Sequence, residues 1–251
     1  MAPSYDVPVT DSASATPDCP VGTPHPAGTA QPGSSAYGLR GLVVDYGGVL
    51  TNSLGDAMRG WVEDAGVDLD QFGALMREWL LEGAAENPAH ALERGELTDD
   101  EFGTALAARL RRADGTALPS DGLLRKMMAG LVPNSSPMVG VVLAARAQGI
   151  RTALLSNSWG LDYDRSGWDE LFDEVVISGE VGLRKPEPAI YRLVAERLGL
   201  APEECVFVDD LAPNVRGAAA VGMVGVHYAD HDSVVAELEE LLGVRLGVPA
   251  E

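Results

Sequence analysis

GLVVDYGGVLT, residues 41–51, is the stretch that decides the fold: an apolar run ends in Asp45, and Gly47 and Gly48 follow almost at once. A short continuous apolar run bounded by glycine is typical of a strand that is buried on both faces. Such strands belong to parallel sheets covered by helices, whose ligands bind beyond the carboxyl ends of the strands. The stretch therefore predicts a buried strand that brings Asp45 to the ligand-binding edge of a parallel sheet.

Strand and helix patterns alternate from residue 137 onward, with short connections between them. Strands are predicted at residues 150–158, 173–179, 204–210 and 223–228, and helices at residues 137–149, 186–199, 212–222 and 233–243. Alternation of this kind indicates a parallel sheet with helices on both faces. We therefore predict an α/β fold, with a doubly wound, Rossmann-like parallel-sheet core formed by residues 38–53 and 135–251.

The segment between these two parts of the core reads as helical. Residues 56–132 contain no convincing strand, and helical patterns cover residues 56–66, 69–83, 98–112 and 121–131. Thr98 followed by Glu101 is typical of the capping box that opens a helix. We therefore predict a helical cap, residues 54–134, inserted after the first strand.

The amino-terminal composition differs from the rest of the chain. Residues 1–37 are rich in Pro, Ser, Ala, Thr and Gly, a composition that cannot bury enough surface to offset chain entropy. The segment lacks the basic start and apolar middle of a secretory signal. We predict a disordered tail.

Charge and cysteine content restrict the partners and the compartment. A formal net charge of −20 repels nucleic acid and anionic lipid, and no stretch is as long as an apolar membrane span. The two cysteines, Cys19 and Cys205, are far apart and indicate free thiols rather than a disulfide framework or a zinc site. We predict a cytoplasmic protein with neither a nucleic-acid nor a membrane partner; the sequence leaves the oligomeric state open.

Polar side chains follow three of the predicted strands: Asp45, then Ser156 and Asn157, then Asp209 and Asp210. Asp45 alone is as well explained by a turn or a helix cap. Three carboxylates at one edge of a sheet, however, would repel one another strongly in a partly buried cleft. A divalent cation removes that repulsion, and carboxylate oxygens suit Mg²⁺. The strand ends therefore predict a Mg²⁺ site.

Lys185 lies in the loop GLRKPEP just before a predicted helix that opens at Pro186 or Glu187, and it is one of only two lysines in the chain. It is either an exposed loop cation or a charge that neutralises the carboxylates and holds a transferring phosphoryl group. Asn214, early in the helix after Asp210, is either an ordinary helix residue or a brace for the metal ligands.

Four motifs occur in a fixed order: LVVDYGGVL, ALLSNS, GLRKPEPAIY, and VFVDD with Asn214. Together they resemble the haloacid dehalogenase-like hydrolase superfamily, and the helical insert resembles a cap of the C1 type. The segment ERGELTDDEF is similar to one in the subfamily of sugar-1-phosphate phosphatases. LSNSW and KPEPAIY are similar to the amino-terminal phosphatase domain of soluble epoxide hydrolase.

The resemblance implies a Mg²⁺-dependent phosphatase that acts on a small phosphorylated substrate through an aspartyl-phosphate. Asp45 would be the nucleophile, and Lys185 would stabilise charge on the phosphate. Ser156 and the Asn157 amide would bind phosphoryl oxygens. The implied metal ligands are Asp45, the carbonyl of Gly47, Asp210 and the nearby Asp209.

Gly47 departs from the family pattern, because most phosphatases of the superfamily have an aspartate there as acid and base. One interpretation is a phosphatase whose leaving group needs no acid, or whose proton comes from water or from a cap residue. A dehalogenase is disfavoured by the paired acids, and a phosphonatase by the lack of a suitable cap lysine, since the only one is Lys126. The remaining alternative is a non-catalytic module that binds a phosphorylated ligand or a protein.

Aromatic residues and one histidine are candidates for contact with the substrate. Trp159 follows the Ser-Asn-Ser motif directly, so we expect it to contact either the substrate or the cap. Trp61, Trp79 and His90 are candidates for the inner face of the cap, although residues at helical spacing more often pack inside the helical bundle.

Overall fold

The computed structural model describes residues 35–80, 87–160 and 163–247. The predicted tail lies outside these ranges except for residues 35–37. Five parallel strands form one sheet in the order β3-β2-β1-β4-β5. The strands are β1 Gly41–Val44, β2 Arg151–Ser156, β3 Glu174–Ile177, β4 Cys205–Asp209 and β5 Val224–His227. The predicted α/β fold with a parallel sheet is confirmed.

Strand β1 occupies the centre of the sheet, and its residues Leu42, Val43 and Val44 have no exposed surface. Its partners are β2 on one side and β4 on the other. The β4 pairing extends one residue further, because the Asp45 backbone N–H donates to Val208 O at 2.9 Å. This extension fixes Asp45 at the carboxyl edge of the sheet.

Among the described residues, five helices lie between β1 and the crossover helix that precedes β2: α1 Leu54–Ala65, α2 Leu69–Leu80, α3 Pro88–Glu93, α4 Asp99–Arg109 and α5 Leu123–Met128. We call this segment the insert. Its helices share a hydrophobic cluster that includes Met58, Phe72 and Phe102. The four helical patterns of the sequence correspond to α1, α2, α4 and α5, and the capping box of Thr98 and Glu101 is present. The end of the second pattern, beyond residue 80, lies outside the described residues, and the cap boundaries at 54 and 134 stay a prediction.

Helix α3 was not predicted. It has only 6 residues, so a 3.6-residue period cannot be recognised in the sequence. Its start nevertheless carries a local signal, because the Asn87 side chain accepts from the His90 backbone N–H and Pro88 occupies the first helical position.

In the described part of the chain after the insert, the helices are α6 Met138–Ala147, α7 Trp168–Leu171, α8 Ser178–Val181, α9 Pro188–Leu198, α10 Ala212–Ala219 and α11 His231–Leu242. Alternate residues of β1 point to opposite faces of the sheet. On one face, Val44 belongs to a cluster with residues of α6 and α11; on the other, Val43 belongs to a cluster with residues of α9 and α10. Helix α9 begins at Pro188 rather than at Pro186 or Glu187, since Glu187 has extended backbone angles.

The side chain of Asn52 joins the two segments that connect the insert to the core. Asn52 Nδ2 donates to Gly130 O at 3.0 Å, and the Val132 N–H donates to Asn52 Oδ1 at 2.7 Å. The outgoing and returning segments therefore meet at one amide. Among the residues that the structure describes, no helix combines the length and the hydropathy needed to span a bilayer.

Candidate active site

Three carboxylates meet at the carboxyl edge of the sheet. One oxygen from each of Asp45, Asp209 and Asp210 lies within 4.8 Å of the others. Asp45 and Asp209 are buried, and Asp210 is half-buried. Adjacent parallel strands place all three there, because β1 and β4 are paired in register and both end at this edge.

Lys185 lies between two of these carboxylates. Its Nζ donates to Asp45 Oδ1 at 2.6 Å and to Asp209 Oδ2 at 2.7 Å. The side chain is only 1% exposed, which excludes the alternative of an exposed loop cation. Burial by itself would lower the pKa of Lys185, but the charges of Asp209 and Asp45 outweigh it and raise that pKa above its usual value. Lys185 is therefore a permanent buried cation.

Two asparagines hold this ion cluster in place. The Asn157 side chain accepts from the Lys185 backbone N–H at 2.8 Å and donates to the Lys185 carbonyl at 3.1 Å, so it fixes the loop that carries the lysine. Asn214 Nδ2 donates to both oxygens of Asp209, at 3.0 and 3.1 Å. The Leu211 N–H also donates to Asp209, at 2.8 Å. Protein donors therefore occupy both oxygens of Asp209.

The carboxyl groups of Asp45 and Asp210 both have raised pKa values. Burial raises the pKa of Asp45 to about 8, with the charges of Asp209 and Asp210 adding to the effect and Lys185 opposing it. Burial, followed by the charge of Asp209, raises the pKa of Asp210 to about 6. One ammonium thus faces three carboxylates, an excess of negative charge that a further cation would reduce.

The donor set fits Mg²⁺. Asp45 and Asp210 offer hard carboxylate oxygens, which this ion prefers, and Asp209 is already engaged by the protein. Gly48 permits the close approach of Asp210: a Cβ at residue 48 would lie 2.4 Å from Asp210 Oδ2, and its φ of +79° favours glycine. Gly47 lines a cavity together with Asp45 and Asp210.

Ser156 ends β2 next to this cluster. Its Oγ lies 2.9 Å from the Tyr163 hydroxyl oxygen, and either group can donate. Burial raises the pKa of Tyr163, which keeps the phenol neutral. Tyr163 was not identified from the sequence, because no strand end or helical period marks it. Residues 161 and 162, which precede it, are outside the described part of the chain.

A cavity of about 310 Å³ opens between the sheet edge and the insert. All the predicted site residues except Asp209 line it: Asp45, Gly47, Ser156, Asn157, Trp159, Lys185, Asp210 and Asn214. Asp209 has no exposed surface and lies behind them. From the insert, Leu54, Met58, Phe72, Met76 and Leu80 complete the wall.

Trp159 links this cavity to the insert through a buried carboxylate. The Trp159 indole N–H donates to Glu93 Oε1 at 3.0 Å, and Arg184 Nε donates to Glu93 Oε2 at 2.5 Å. Arg94, the next residue, forms a more exposed ion pair with Glu187. Glu93 and Arg184 were not identified from the sequence, since no local pattern relates residues that are 91 positions apart.

The two other tryptophans proposed for the inner face of the cap pack within the insert. Trp61 contacts the Phe72 ring, Trp79 contacts the Phe102 ring, and both belong to the insert cluster. Neither of them nor His90 is among the described residues that line the cavity. Lys126 is exposed on α5 and donates to the Asp121 carbonyl, which agrees with the argument against a phosphonatase.

Comparison with known proteins gives consistent matches. A family model described as haloacid dehalogenase-like hydrolase matches residues 39–222. Mouse "Acyl-CoA dehydrogenase family member 10" is 31% identical over 236 residues, which cover 90% of this chain and 22% of that protein. The sesquiterpene phosphatase astK of Aspergillus oryzae is 26% identical over 214 residues, covering 82% of this chain and 97% of that protein. The chain spans about a third or less of the length of the first curated relatives that it matches.

One solved structure of this fold comes from Bacteroides thetaiotaomicron, a haloacid dehalogenase family enzyme in complex with magnesium and inorganic phosphate. It has a TM-score of 0.55 and 21% sequence identity, and the match covers 76% of this chain and 98% of that one. At this identity the likeness establishes the shared fold.

Proposed function

Because the chain belongs to the haloacid dehalogenase-like hydrolase family, we propose that it is a Mg²⁺-dependent phosphatase that forms an aspartyl-phosphate on Asp45. The observation that carries this proposal is the buried Asp45–Lys185–Asp209 cluster at the wall of a cavity. A relative that is named a phosphatase along 97% of its length and a neighbour of the same fold that binds magnesium and phosphate support it.

The reaction we propose proceeds in two displacements. A carboxylate oxygen of Asp45 attacks phosphorus while the bond from phosphorus to the leaving oxygen breaks, and the leaving group departs with the electron pair. It takes a proton from a water molecule, because Gly47 has no acid to offer, and a hydroxide remains. That hydroxide attacks the phosphorus of the aspartyl-phosphate, which releases inorganic phosphate and restores Asp45.

The remaining site residues hold the phosphoryl group and balance its charge. Lys185 stabilises the negative charge that develops on the phosphoryl oxygens. Ser156 and the backbone amide of Asn157 bind those oxygens, and the Tyr163 hydroxyl orients Ser156. Asp45, the Gly47 carbonyl and Asp210 would hold Mg²⁺, which when bound supplies the positive charge that three carboxylates and a phosphate require.

The test is hydrolysis of p-nitrophenyl phosphate with Mg²⁺ or with a chelator. We expect turnover only with the metal and a loss of several orders of magnitude in Asp45→Asn. Asp64→Asn, an exposed aspartate on α1, is the matched control and should behave as the unmodified protein does. Turnover that is unchanged in Asp45→Asn would refute the proposed nucleophile.

The lack of an acidic side chain at Gly47 favours a second candidate function. In this alternative the protein is a non-catalytic module that binds a phosphorylated ligand. Calorimetric binding of inorganic phosphate without turnover of any phosphate ester would favour this module. A dehalogenase remains disfavoured, because Asp209 and Asp210 have no role in displacing a halide.

As partner we propose a small phosphorylated substrate in the cytosol, with no role for nucleic acid or a membrane surface. The net charge of −20 supports the absence of polyanionic partners. The thiol of Cys205, which is free and buried at the start of β4, agrees with a reducing compartment.

A further inference from the structure

The insert presents an apolar wall to the site. Leu54 and Met58 from α1 and Phe72, Met76 and Leu80 from α2 line the cavity opposite the carboxylates. Helical spacing brings each set to one face of its helix: residues 54 and 58 are one turn apart, as are residues 72, 76 and 80. The faces that the two helices turn toward the reacting groups are therefore composed of thioether, aliphatic and aromatic side chains.

From the insert, the only charged side chain among the described cavity-lining residues is Glu93. Its two oxygens already accept hydrogen bonds from Trp159 and Arg184. The Trp159 indole N–H is used in the same contact. The wall thus offers the leaving group apolar surface and no uncommitted carboxylate.

We propose that the substrate of this site is a phosphate monoester whose alcohol portion is apolar, an alkyl or aryl group rather than a sugar. This inference rests on the proposed phosphatase function and adds the class of leaving group. A sugar hydroxyl placed against Met58, Phe72, Met76 or Leu80 loses its hydrogen bonds to water, and these side chains offer no replacement, which is unfavourable. A methylene group that enters gains roughly fourfold in affinity from its burial.

The volume of the cavity indicates the size of the group that it can enclose. About 310 Å³ corresponds to roughly ten water molecules at their volume in the liquid. The phosphoryl group takes up several of these volumes beside Asp45 and Lys185. The remainder suits a short alkyl chain or a single ring.

The experiment compares two monoesters of primary alcohols with the same carbon number, n-hexyl phosphate and sorbitol phosphate. Their binding to Asp45→Asn is measured by calorimetry with Mg²⁺ present, which does not depend on turnover. The values of kcat/KM are measured on the unmodified protein. We expect n-hexyl phosphate to bind at least about tenfold more tightly than sorbitol phosphate.

Substitutions in the wall test the cause of the preference. Met76→Gln, placed in the Asp45→Asn background, keeps the length of the side chain and makes it polar, so the preference for n-hexyl phosphate should fall about fivefold. Met76→Leu should retain the preference. Leu69→Gln adds the same polar group to an exposed position of the same helix and serves as the control. Thermal melting verifies that each variant is folded.

Two results would overturn this inference: equal or tighter binding of sorbitol phosphate, or a preference that survives both Met76→Gln and Leu80→Gln. Failure of the proposed function would look different. In that case p-nitrophenyl phosphate would not be hydrolysed, while the calorimetric preference between the two monoesters would still be measured.

Discussion

Lys185 Nζ lies 2.6 Å from Asp45 Oδ1, a buried ion pair between residues that are 140 positions apart in the chain. This contact joins the loop before α9 to the end of β1. It gives the carboxylate that we propose as nucleophile a fixed cationic neighbour, and Asp209 shares the same ammonium.

Replacing this cation should affect both folding and reaction. Lys185→Gln leaves three acidic groups without the ammonium, so the free energy of unfolding of the metal-free protein should fall by about 3–5 kcal/mol. Added Mg²⁺ should recover much of the stability but little of the phosphatase turnover, because the ammonium that faces the phosphoryl group is missing. Urea denaturation with and without Mg²⁺ measures the first effect. Lys126→Gln, at an exposed lysine, is the control, and an equal loss in both variants would contradict the prediction.

The pH dependence of turnover should change with the concentration of Mg²⁺. Asp45 must be ionised to attack, and its pKa is raised to about 8 in the metal-free site. The value of kcat should therefore rise as the pH rises, with activity lost in acid as Asp45 is protonated. A cation beside Asp45 and Asp210 favours their ionised forms, so the midpoint should move to lower pH as Mg²⁺ increases.

Profiles of kcat against pH at limiting and at saturating Mg²⁺ provide the measurement. Substrate is kept saturating so that its own ionisation in free solution does not set the midpoint. A midpoint that stays at the same pH at both concentrations of Mg²⁺ would show that the metal does not interact with these carboxylates.

Gly47→Asp should increase turnover selectively. A Cβ at this position would meet no atom within 4 Å, so the side chain fits into the cavity beside the leaving group. An acid there can protonate an alkoxide, and a positioned general acid contributes roughly 10²–10⁴-fold in favourable cases. We expect a gain of about tenfold or more for n-hexyl phosphate and little gain for p-nitrophenyl phosphate, whose phenolate leaves without a proton. Gly47→Asn has nearly the same size but no acid, and an equal effect of both substitutions would exclude proton transfer as the cause.

Two of the ion pairs between the insert and the core, Glu93 with Arg184 and Arg94 with Glu187, should differ in strength. Glu93 and Arg184 are both buried, whereas Arg94 and Glu187 are partly exposed. Glu93→Gln leaves the Arg184 guanidinium without its counter-charge and should lower the free energy of unfolding by about 3 kcal/mol. Arg94→Gln, one residue away, should lower it by less than about 1 kcal/mol. Chemical denaturation of both variants tests the contrast, and equal losses would refute it.

The sheet edge could be predicted because its determinants are local. The apolar run before Asp45 and the one before Asp209 each specify a buried strand, and parallel pairing then brings both strand ends to the same edge. Asn157 followed from the same reasoning as a strand-end residue. Its side-chain pairing with the Lys185 backbone did not, because that contact depends on where a distant loop lies.

Contacts between the insert and the core could not be predicted for a related reason. Glu93 lies at the end of a helix too short to give a period, and its partners Trp159 and Arg184 come from separate loops. Tyr163 is similar, since no local sequence pattern relates its hydroxyl to Ser156 Oγ, which lies 2.9 Å away. The reactive residues at the strand ends could therefore be predicted from the sequence. The residues that support them could not, because they depend on how the helices pack.

The amide of Asn52 gives the insert a particular place in the topology of the chain. Because the outgoing and returning segments meet at this side chain, the two ends of the insert lie as close together as the ends of a short loop, and α6 then completes the connection from β1 to β2. Once the insert has folded, its presence in that connection requires little more entropy than closing a short loop. A protein built in this way can exchange its helical insert for another while the order of its strands stays the same, so new substrate preferences can arise by replacement of one module rather than by redesign of the sheet.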